Sequence, residues 1–343
     1  MLKVTGNRHH PMNEDSPIFP LMNRIWYLYK RNNWMVDPSR FFTSHNDVAI
    51  DRPIFLLGNQ GGGLTLVSRM LRRNRSAVSA TGNHRYWAGA DELQNVMGPL
   101  LPAELSGIKY KAPPHPVQAP PRSWSYACDE LIDAYRKTDA DYTPELESKF
   151  RQILRYVIGR FGLENRVRFV DKSQVFTVRL SFIHRLLQDC RPKFVLITRN
   201  PYVQCPRAAS GKAGDMKKYQ AFLSWNERLT LCAQHWANSM GALLEDRERL
   251  AIEVLILKFE EILDSPEENL RRLCEFVELE FTNDMIPQPH HVMPLGTQRR
   301  DRWYPLRRGV NERYRDLVTD EDIEIVQKLC GRRAGELGYR FPF

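Results

Sequence analysis

The chain has 343 residues, 42% of them apolar, which excludes a disordered chain and suffices for one large α/β domain or two small ones. Fifty Lys and Arg against 41 Asp and Glu give a formal charge of +9 and a pI near 9.3, which favours an anionic ligand, substrate or surface without choosing among them. Six scattered cysteines (Cys128, Cys190, Cys205, Cys232, Cys274, Cys330) form no metal-spaced cluster, no run reaches the roughly 20 apolar residues of a bilayer span, and Pro20, Asn23 and Arg24 break the one signal-like stretch. A cytoplasmic protein with reduced thiols, no metal site and no transmembrane segment is expected.

Residues 1–49 are aromatic and basic and predict an extension packed on the main domain, with a short helix around Arg24–Lys30. The core begins at "PIFLLG", a continuous apolar run ended by glycine, the pattern of a strand buried on both faces. "LTLVSRMLRRN" follows at helical spacing. Residues 113–121 hold five prolines in nine positions and cannot be helix or central strand, so they predict an ordered loop or lid. "DELIDAYRKT" and "ELESKFRQILRYVIGRFG" predict helices, the second stopping at Gly162, and "RVRFVDKS" a short strand. "RLSFIHRLLQDC" predicts a helix, "KFVLITRNP" a second buried strand, and "FLSWNERLTLCAQHWANSMGALLED" a long helix. "AIEVLILKFEEIL" predicts a third strand passing into "SPEENLRRLCEFVEL", with Ser265 as N-cap and Pro266 at the first helical position. Strands alternating with helices imply a parallel sheet with right-handed crossovers.

The frame Gly58-x-x-x-x-Gly63-Leu64-Thr65 matches a phosphate-binding loop except that leucine stands in the lysine's place. Successive N–H groups of a glycine-rich turn at a helix start bind phosphate oxygens whatever the side chains are, so the cradle is kept and the lysine for a terminal phosphate is lost. A kinase or ATPase also wants an acidic Mg²⁺ ligand at a neighbouring strand end, whereas here the strands end in Arg199 and Lys258. A metal-free anionic nucleotide with an extra phosphate fits better. A nucleotide kinase or NTPase and a degenerate, non-catalytic nucleotide-binding module remain the alternatives. Between Arg299 and Arg315, seven arginines against two acids suggest a further phosphate-contacting loop.

Four segments in order resemble the sulfotransferases that use 3′-phosphoadenosine 5′-phosphosulfate (PAPS), over roughly residues 52–340. "FLLGNQGGGLTLV" is similar to the family's 5′-phosphosulfate loop, "FVLITRNPYVQCPRAAS" to its 3′-phosphate segment, "LKFEEILDSPEENLRRLCEFVEL" to its strand-and-helix stretch, and "RRGVNERYRDLVTDED" to the segment that closes over the cofactor. The resemblance implies an α/β fold, a three-layer sandwich with a central parallel sheet and a P-loop-like nucleotide-binding core. It divides the chain into an extension (1–49) and a sulfotransferase domain (50–343). It implies PAPS as co-substrate, held by Gln60, Gly61, Gly62, Gly63, Leu64, Thr65, Arg199, Arg207, Arg307, Arg308 and Gly309, with a small-molecule or glycan acceptor carrying a hydroxyl or amine. No nucleic-acid partner is implied.

The departures are specific. Gly61 stands where the family has a basic residue, Arg207 where a phosphate-binding serine would be, and Asn311 and Glu312 in a turn that is otherwise small and glycine-containing. Tyr314 replaces a tryptophan. "VDKSQ" keeps Lys172 and Ser173, but Gln174 stands in the place of a catalytic histidine. Sulfuryl transfer still needs a proton removed, and "TGNHRYWAGADELQ" offers His84 and Glu92, with Lys172 expected to stabilise the sulfuryl oxygens. Trp87, Trp124 and the proline loop are expected to shape the acceptor pocket.

Overall fold

The structure, a computed structural model, describes residues 17–85, 87–88, 91–106, 118–119, 122–123, 126–164, 166–211, 216, 220–221, 223–289, 291, 306, 308–309, 311–312 and 318–341. Arg307, Tyr314, Trp124, most of the proline-rich stretch and most of the 299–315 arginine cluster lie outside these residues.

The extension forms α1 (Phe19–Asn32), a 3₁₀ turn and α2 (Ser39–Phe42). The predicted apolar run is β1 (Ile54–Leu57), joined by the glycine loop to α3 (Leu64–Leu71). There follow the hairpin of β2 (Ala77–Ser79) and β3 (Gly82–Asn83), then α4 (Leu93–Val96). A separate two-stranded ladder joins β4 (Gln118–Ala119) to β5 (Arg122–Ser123). Next come α5 (Ile132–Tyr135), α6 (Pro144–Phe161), β6 (Arg168–Asp171), α7 (Leu180–Leu187) and β7 (Lys193–Thr198). The chain continues through α8 (Pro201–Ala209), α9 (Trp225–Arg249), β8 (Val254–Lys258), α10 (Phe259–Asp264), α11 (Pro266–Val277) and α12 (Asp320–Glu336).

Local chemistry explains the long helices. Thr143 caps α6 by accepting from Leu146 N–H, Pro144 takes the first turn and Gly162 the C-cap. Reciprocal capping boxes, Ser224 with Glu227 and Thr319 with Asp322, start α9 and α12.

The six-stranded sheet has the order β3-β2-β6-β1-β7-β8. Five strands run parallel, with Ile54 opposite Val170 on one side and Lys193 on the other. The expected central parallel sheet is present, and the edge strand β3 is added antiparallel to β2. Because side chains alternate across a strand, Phe55 and Leu57 enter a core shared with α6, α7, α8, α9 and α12. Ile54 and Leu56 enter a second core with α3 and α11. The result is a helix–sheet–helix sandwich.

The extension is tied to this body. Lys30 Nζ donates to the Trp87 carbonyl at 3.2 Å, Trp34 Nε1 to the Val96 carbonyl at 2.9 Å, and the Tyr156 hydroxyl to Asp37 at 2.6 Å. Its helix is longer than the predicted Arg24–Lys30. "DELIDAYRKT" yields only the four-residue α5, because Leu131 and Tyr135 are drawn into the core while Asp129 accepts from Gln234 and Asn238 of α9. Ser265 does precede Pro266, but its side chain makes no cap bond. There α10 runs directly into α11, and the Ser265 carbonyl accepts from Asn269.

Phe55 stands at the centre of the larger core, its ring 5.7 Å from Phe194, 6.0 Å from Phe176 and 6.3 Å from Phe169. Truncation to Phe55→Ala should destabilise the protein by about 3–5 kcal/mol. Urea unfolding would read this as a lower midpoint at an unchanged m-value.

Candidate active site

The glycine loop lies at the carboxyl ends of the parallel strands, where open α/β sheets bind ligands. Its backbone has no room for side chains. A Cβ on Gly58 would stand 2.3 Å from the Ile197 carbonyl oxygen, and one on Gly63 2.2 Å from the Phe259 ring, with positive φ at both (141° and 104°). The loop is also bonded from several elements. The Thr177 hydroxyl accepts from Gly58 N–H at 2.8 Å, Asn59 Nδ2 donates to the His235 carbonyl at 3.2 Å, and Gln204 Nε2 to the Gln60 carbonyl at 2.9 Å.

Gly63 is the N-cap of α3, and among the described residues no side chain caps that helix. The helix start thus presents backbone donors and the positive end of its dipole. Leu64, in the lysine's place, is buried in the smaller core, while Thr65 is half-exposed in the first turn. The cradle fits a phosphate group bound through backbone N–H groups and lacks a side chain reaching beyond it.

Arg199, at the end of β7, is almost fully buried beside this loop. Its Nη1 donates to the Gly61 carbonyl at 3.4 Å, and its Nε and Nη2 to Asn311 Oδ1 at 3.1 and 2.7 Å. The guanidinium also lies 5.0 Å from the Phe259 ring centre. Asn311 in turn donates to Glu260 at 2.9 Å, which accepts from Asn200 N–H at 3.1 Å and from the Tyr339 hydroxyl at 3.3 Å. Asn311, which the sequence marks only as a departure, is therefore the residue that orients Arg199. Arg207 lies on α8 three residues after Gln204, hence on the loop-facing side one turn further along. Arg308 is exposed and donates to the Asp264 carbonyl at 3.0 Å, and Gly309 adopts φ 65° in the following turn.

A second group of charges sits at the end of β6. Lys172 is buried, its ammonium hydrogen-bonded to the Glu92 carboxylate and 3.8 Å from Asp91. Asp91 pairs with Arg72, the residue just past α3, and the Arg69 and Arg72 guanidiniums lie 5.7 and 5.1 Å from the Trp87 ring centre. Asp171 accepts from Leu93 N–H at 2.8 Å and Ser173 N–H at 2.7 Å, and Ser173 Oγ from Gln94 N–H at 3.0 Å. These bonds lock "DELQ" onto "DKS". Burial alone would raise Glu92, but the charge and hydrogen bond of Lys172 outweigh it and hold the carboxyl down to about 2. Burial pushes Lys172 below the usual lysine range, and Glu92 opposes that shift.

The structure therefore brings two of the three proposed catalytic residues into contact, and the third lies elsewhere. Gly82 pairs with Ser79 and Asn83 with Val78, so β3 runs back toward the strand starts and carries His84 to the sheet edge opposite the loop. His84 there accepts from Arg85 Nε at 3.2 Å, and burial with the charges of Arg85 and Arg75 pushes its pKa down. The sequence cannot signal this, because β3 is two residues long and without periodicity. Trp87 is buried in the smaller core under the two arginines, not open to an acceptor. Gln174 begins a 3₁₀ turn, its carbonyl accepting from the Tyr126 hydroxyl at 2.6 Å. Arg69, Arg72, Asp91 and Asp171 are missed by sequence reading, since each resembles an ordinary surface charge until its partners are known. Among the described residues no cluster of three His, Cys, Asp or Glu side chains could hold a metal, and no helix is long and apolar enough to cross a membrane.

With this geometry in place, the comparisons are specific. A sulfotransferase family model matches residues 53–283, more than half of the chain, and the protein belongs to the sulfotransferase family. No curated protein matches the sequence. The fold is similar to the sulfotransferase domain from the curacin biosynthetic pathway, at 16% identity and a TM-score of 0.54, covering 85% of this chain and 99% of that one. It is also similar to a sulfotransferase from Mycobacterium avium, at 14% identity and a TM-score of 0.51, covering 96% and 89% respectively.

The Glu92–Lys172 pair gives a pH signature. A carboxyl depressed in the folded state adds stability that is fully present above its ordinary value of 4.5 and lost as pH falls toward about 2. Across that window wild-type stability should fall more steeply than that of Glu92→Gln, measured by denaturant unfolding at stepped pH. Parallel curves would assign Glu92 ordinary acidity.

Proposed function

We propose that the protein transfers the sulfuryl group of PAPS to a hydroxyl or amine of a small-molecule or glycan acceptor. The observation that carries this reading is the convergence, at one sheet edge, of a lysine-free backbone cradle, the buried Arg199 and the Lys172–Glu92 pair. Bound PAPS supplies a sulfuryl group activated by a phosphate leaving group. The N–H groups of Gly61, Gly63, Leu64 and Thr65 hold the 5′-phosphosulfate, while that of Gly62 donates to the Asn59 carbonyl at 3.0 Å and shapes the turn. Arg199 lies beside the loop, its Nη1 donating to the Gly61 carbonyl at 3.4 Å. Arg199 and Arg207 hold the 3′-phosphate, and Arg307, Arg308 and Gly309 close over it. The five buried cysteines, and Cys190 half-buried, are all free thiols, in keeping with a reducing cytoplasmic setting.

Glu92 is the base. It takes the acceptor proton as the new S–O bond forms and the bond from sulfur to the bridging oxygen breaks, leaving adenosine 3′,5′-bisphosphate. Lys172 faces the sulfuryl oxygens and stabilises their charge. As its ammonium turns toward them, its hold on the Glu92 carboxylate weakens and the carboxylate becomes a stronger base. Free enzyme thus keeps Glu92 ionised, and the base gains strength only with the donor in place.

The nucleotide is tested first. Adenosine 3′,5′-bisphosphate should raise the melting temperature without Mg²⁺, and ATP with Mg²⁺ should do much less. Equal shifts would favour the NTPase reading.

The base is tested next, with PAPS and pooled acceptors read by mass shift. Glu92→Gln should lower kcat by about 10²–10⁴-fold with bisphosphate affinity within a few fold, because base catalysis contributes about that much. His84→Ala should turn over like wild type. The reverse pattern would move the role to His84.

A further inference from the structure

Helix α1 is mounted the wrong way round for a helix that faces water. Its buried face carries Lys30, desolvated enough to bring its pKa down to about 8, while Leu21 is 60% exposed, Ile25 55% and Leu28 50%. These three recur at the four- and three-residue steps that place them on one stripe. Met35, 59% exposed, lies in the 3₁₀ turn that follows α1, and α2 adds Phe42 at 88%. An apolar surface of this extent on a water-soluble body marks an interaction site.

Charge selects the occupant. Besides the buried Lys30, residues 17–36 contain the exposed Arg24 and the half-buried Arg31 and no acidic side chain. Trp26 and Tyr29 sit beside the stripe with their rings 5.7 Å apart. Next to α2 a cleft of about 560 Å³ opens between the extension and α6, lined by Arg40, Phe41, His45, Lys149 and Arg155. Buried nitrogens of two of these, Arg155 Nε and His45 Nε2, have no hydrogen-bond partner among the described residues. The neighbouring acids are already engaged, Asp37 by Tyr156 and Arg160 and Glu145 by Lys149. Phe41, 67% exposed, belongs to both the cleft wall and the apolar surface. A second copy of the chain would set one cationic surface against another. A bilayer with anionic headgroups meets both features, taking the apolar stripe into its acyl boundary and setting phosphates against the cations.

We propose that the N-terminal extension docks the protein on an anionic lipid bilayer, with α1 lying in the interface and the cleft beside α2 receiving a lipid phosphate. The attachment is peripheral and reversible. It is independent of the sulfuryl-transfer reading, since none of these residues belongs to that site.

Co-sedimentation of the full chain with phosphatidylcholine vesicles, with and without phosphatidylserine, tests it. Wild type should bind the phosphatidylserine vesicles, lose binding as salt rises, and bind pure phosphatidylcholine far more weakly. Leu21→Glu with Ile25→Glu should weaken binding tenfold or more, because each side chain gives up the free energy of leaving water. Arg40→Ala with Arg155→Ala should weaken it roughly fivefold per charge. Both double variants should melt like wild type, the first because its positions are exposed, so lost binding is not lost folding. Equal binding to both vesicle types, or to neither, would overturn the proposal. So would a solution dimer, seen by light scattering, that Leu21→Glu with Ile25→Glu dissociates.

Discussion

The close approach of glycine backbone to its neighbours is the constraint from which the site follows. Gly58 lies against a β7 carbonyl and Gly63 under the ring of Phe259, the first residue of α10, so β1 can turn into α3 only if the loop is nearly bare of side chains. That bareness leaves N–H groups pointing into the crevice, which is what an anion requires. It also removes the cation that such loops often carry. Arg199 stands beside the loop from the adjacent strand, bonded to the Gly61 carbonyl and to Asn311, which Glu260 holds in turn.

The charges at the end of β6 follow a different logic. Six ionisable side chains, Arg69, Arg72, Asp91, Glu92, Asp171 and Lys172, are buried together around Trp87. An ion pair at such depth is seldom the most stable way to fill the space, since replacing it with apolar side chains is often neutral or better. Lys172 holds the Glu92 carboxyl down against its burial, and Glu92 in turn opposes the lowering that burial imposes on Lys172.

Much of this fold is legible in the sequence because its main strands are buried on both faces. "PIFLLG", "KFVLIT" and "EVLILKF" are runs too apolar to lie elsewhere, and the glycines between strand and helix mark the loop. The short edge strands β2 and β3 are not legible, being three and two residues long and dependent on pairing for their existence. His84 is offered on paper as a titratable group in "TGNHRYW", and only the hairpin, which reverses the chain, shows that it lies toward the end of the sheet away from the loop. The candidate site is legible where glycines bare the backbone, as in the loop, or where a charge ends a strand, as at Arg199 and Lys172. Partners such as Asn311 and Asp91 are invisible, since only the fold brings them near.

The tie between Arg199 and Asn311 spans 112 residues of chain, and the backbone carbonyl of Arg340 is bonded as well, to Asn200 beside that arginine. During synthesis the sheet has all six strands once β8 has emerged. The arginine beside the cradle then still lacks the groups that aim it. Domains generally fold as units as they leave the ribosome, and the larger core also draws on Val326, Cys330 and Tyr339, so the core and the hydrogen bonds around Arg199 both wait for chain beyond β8.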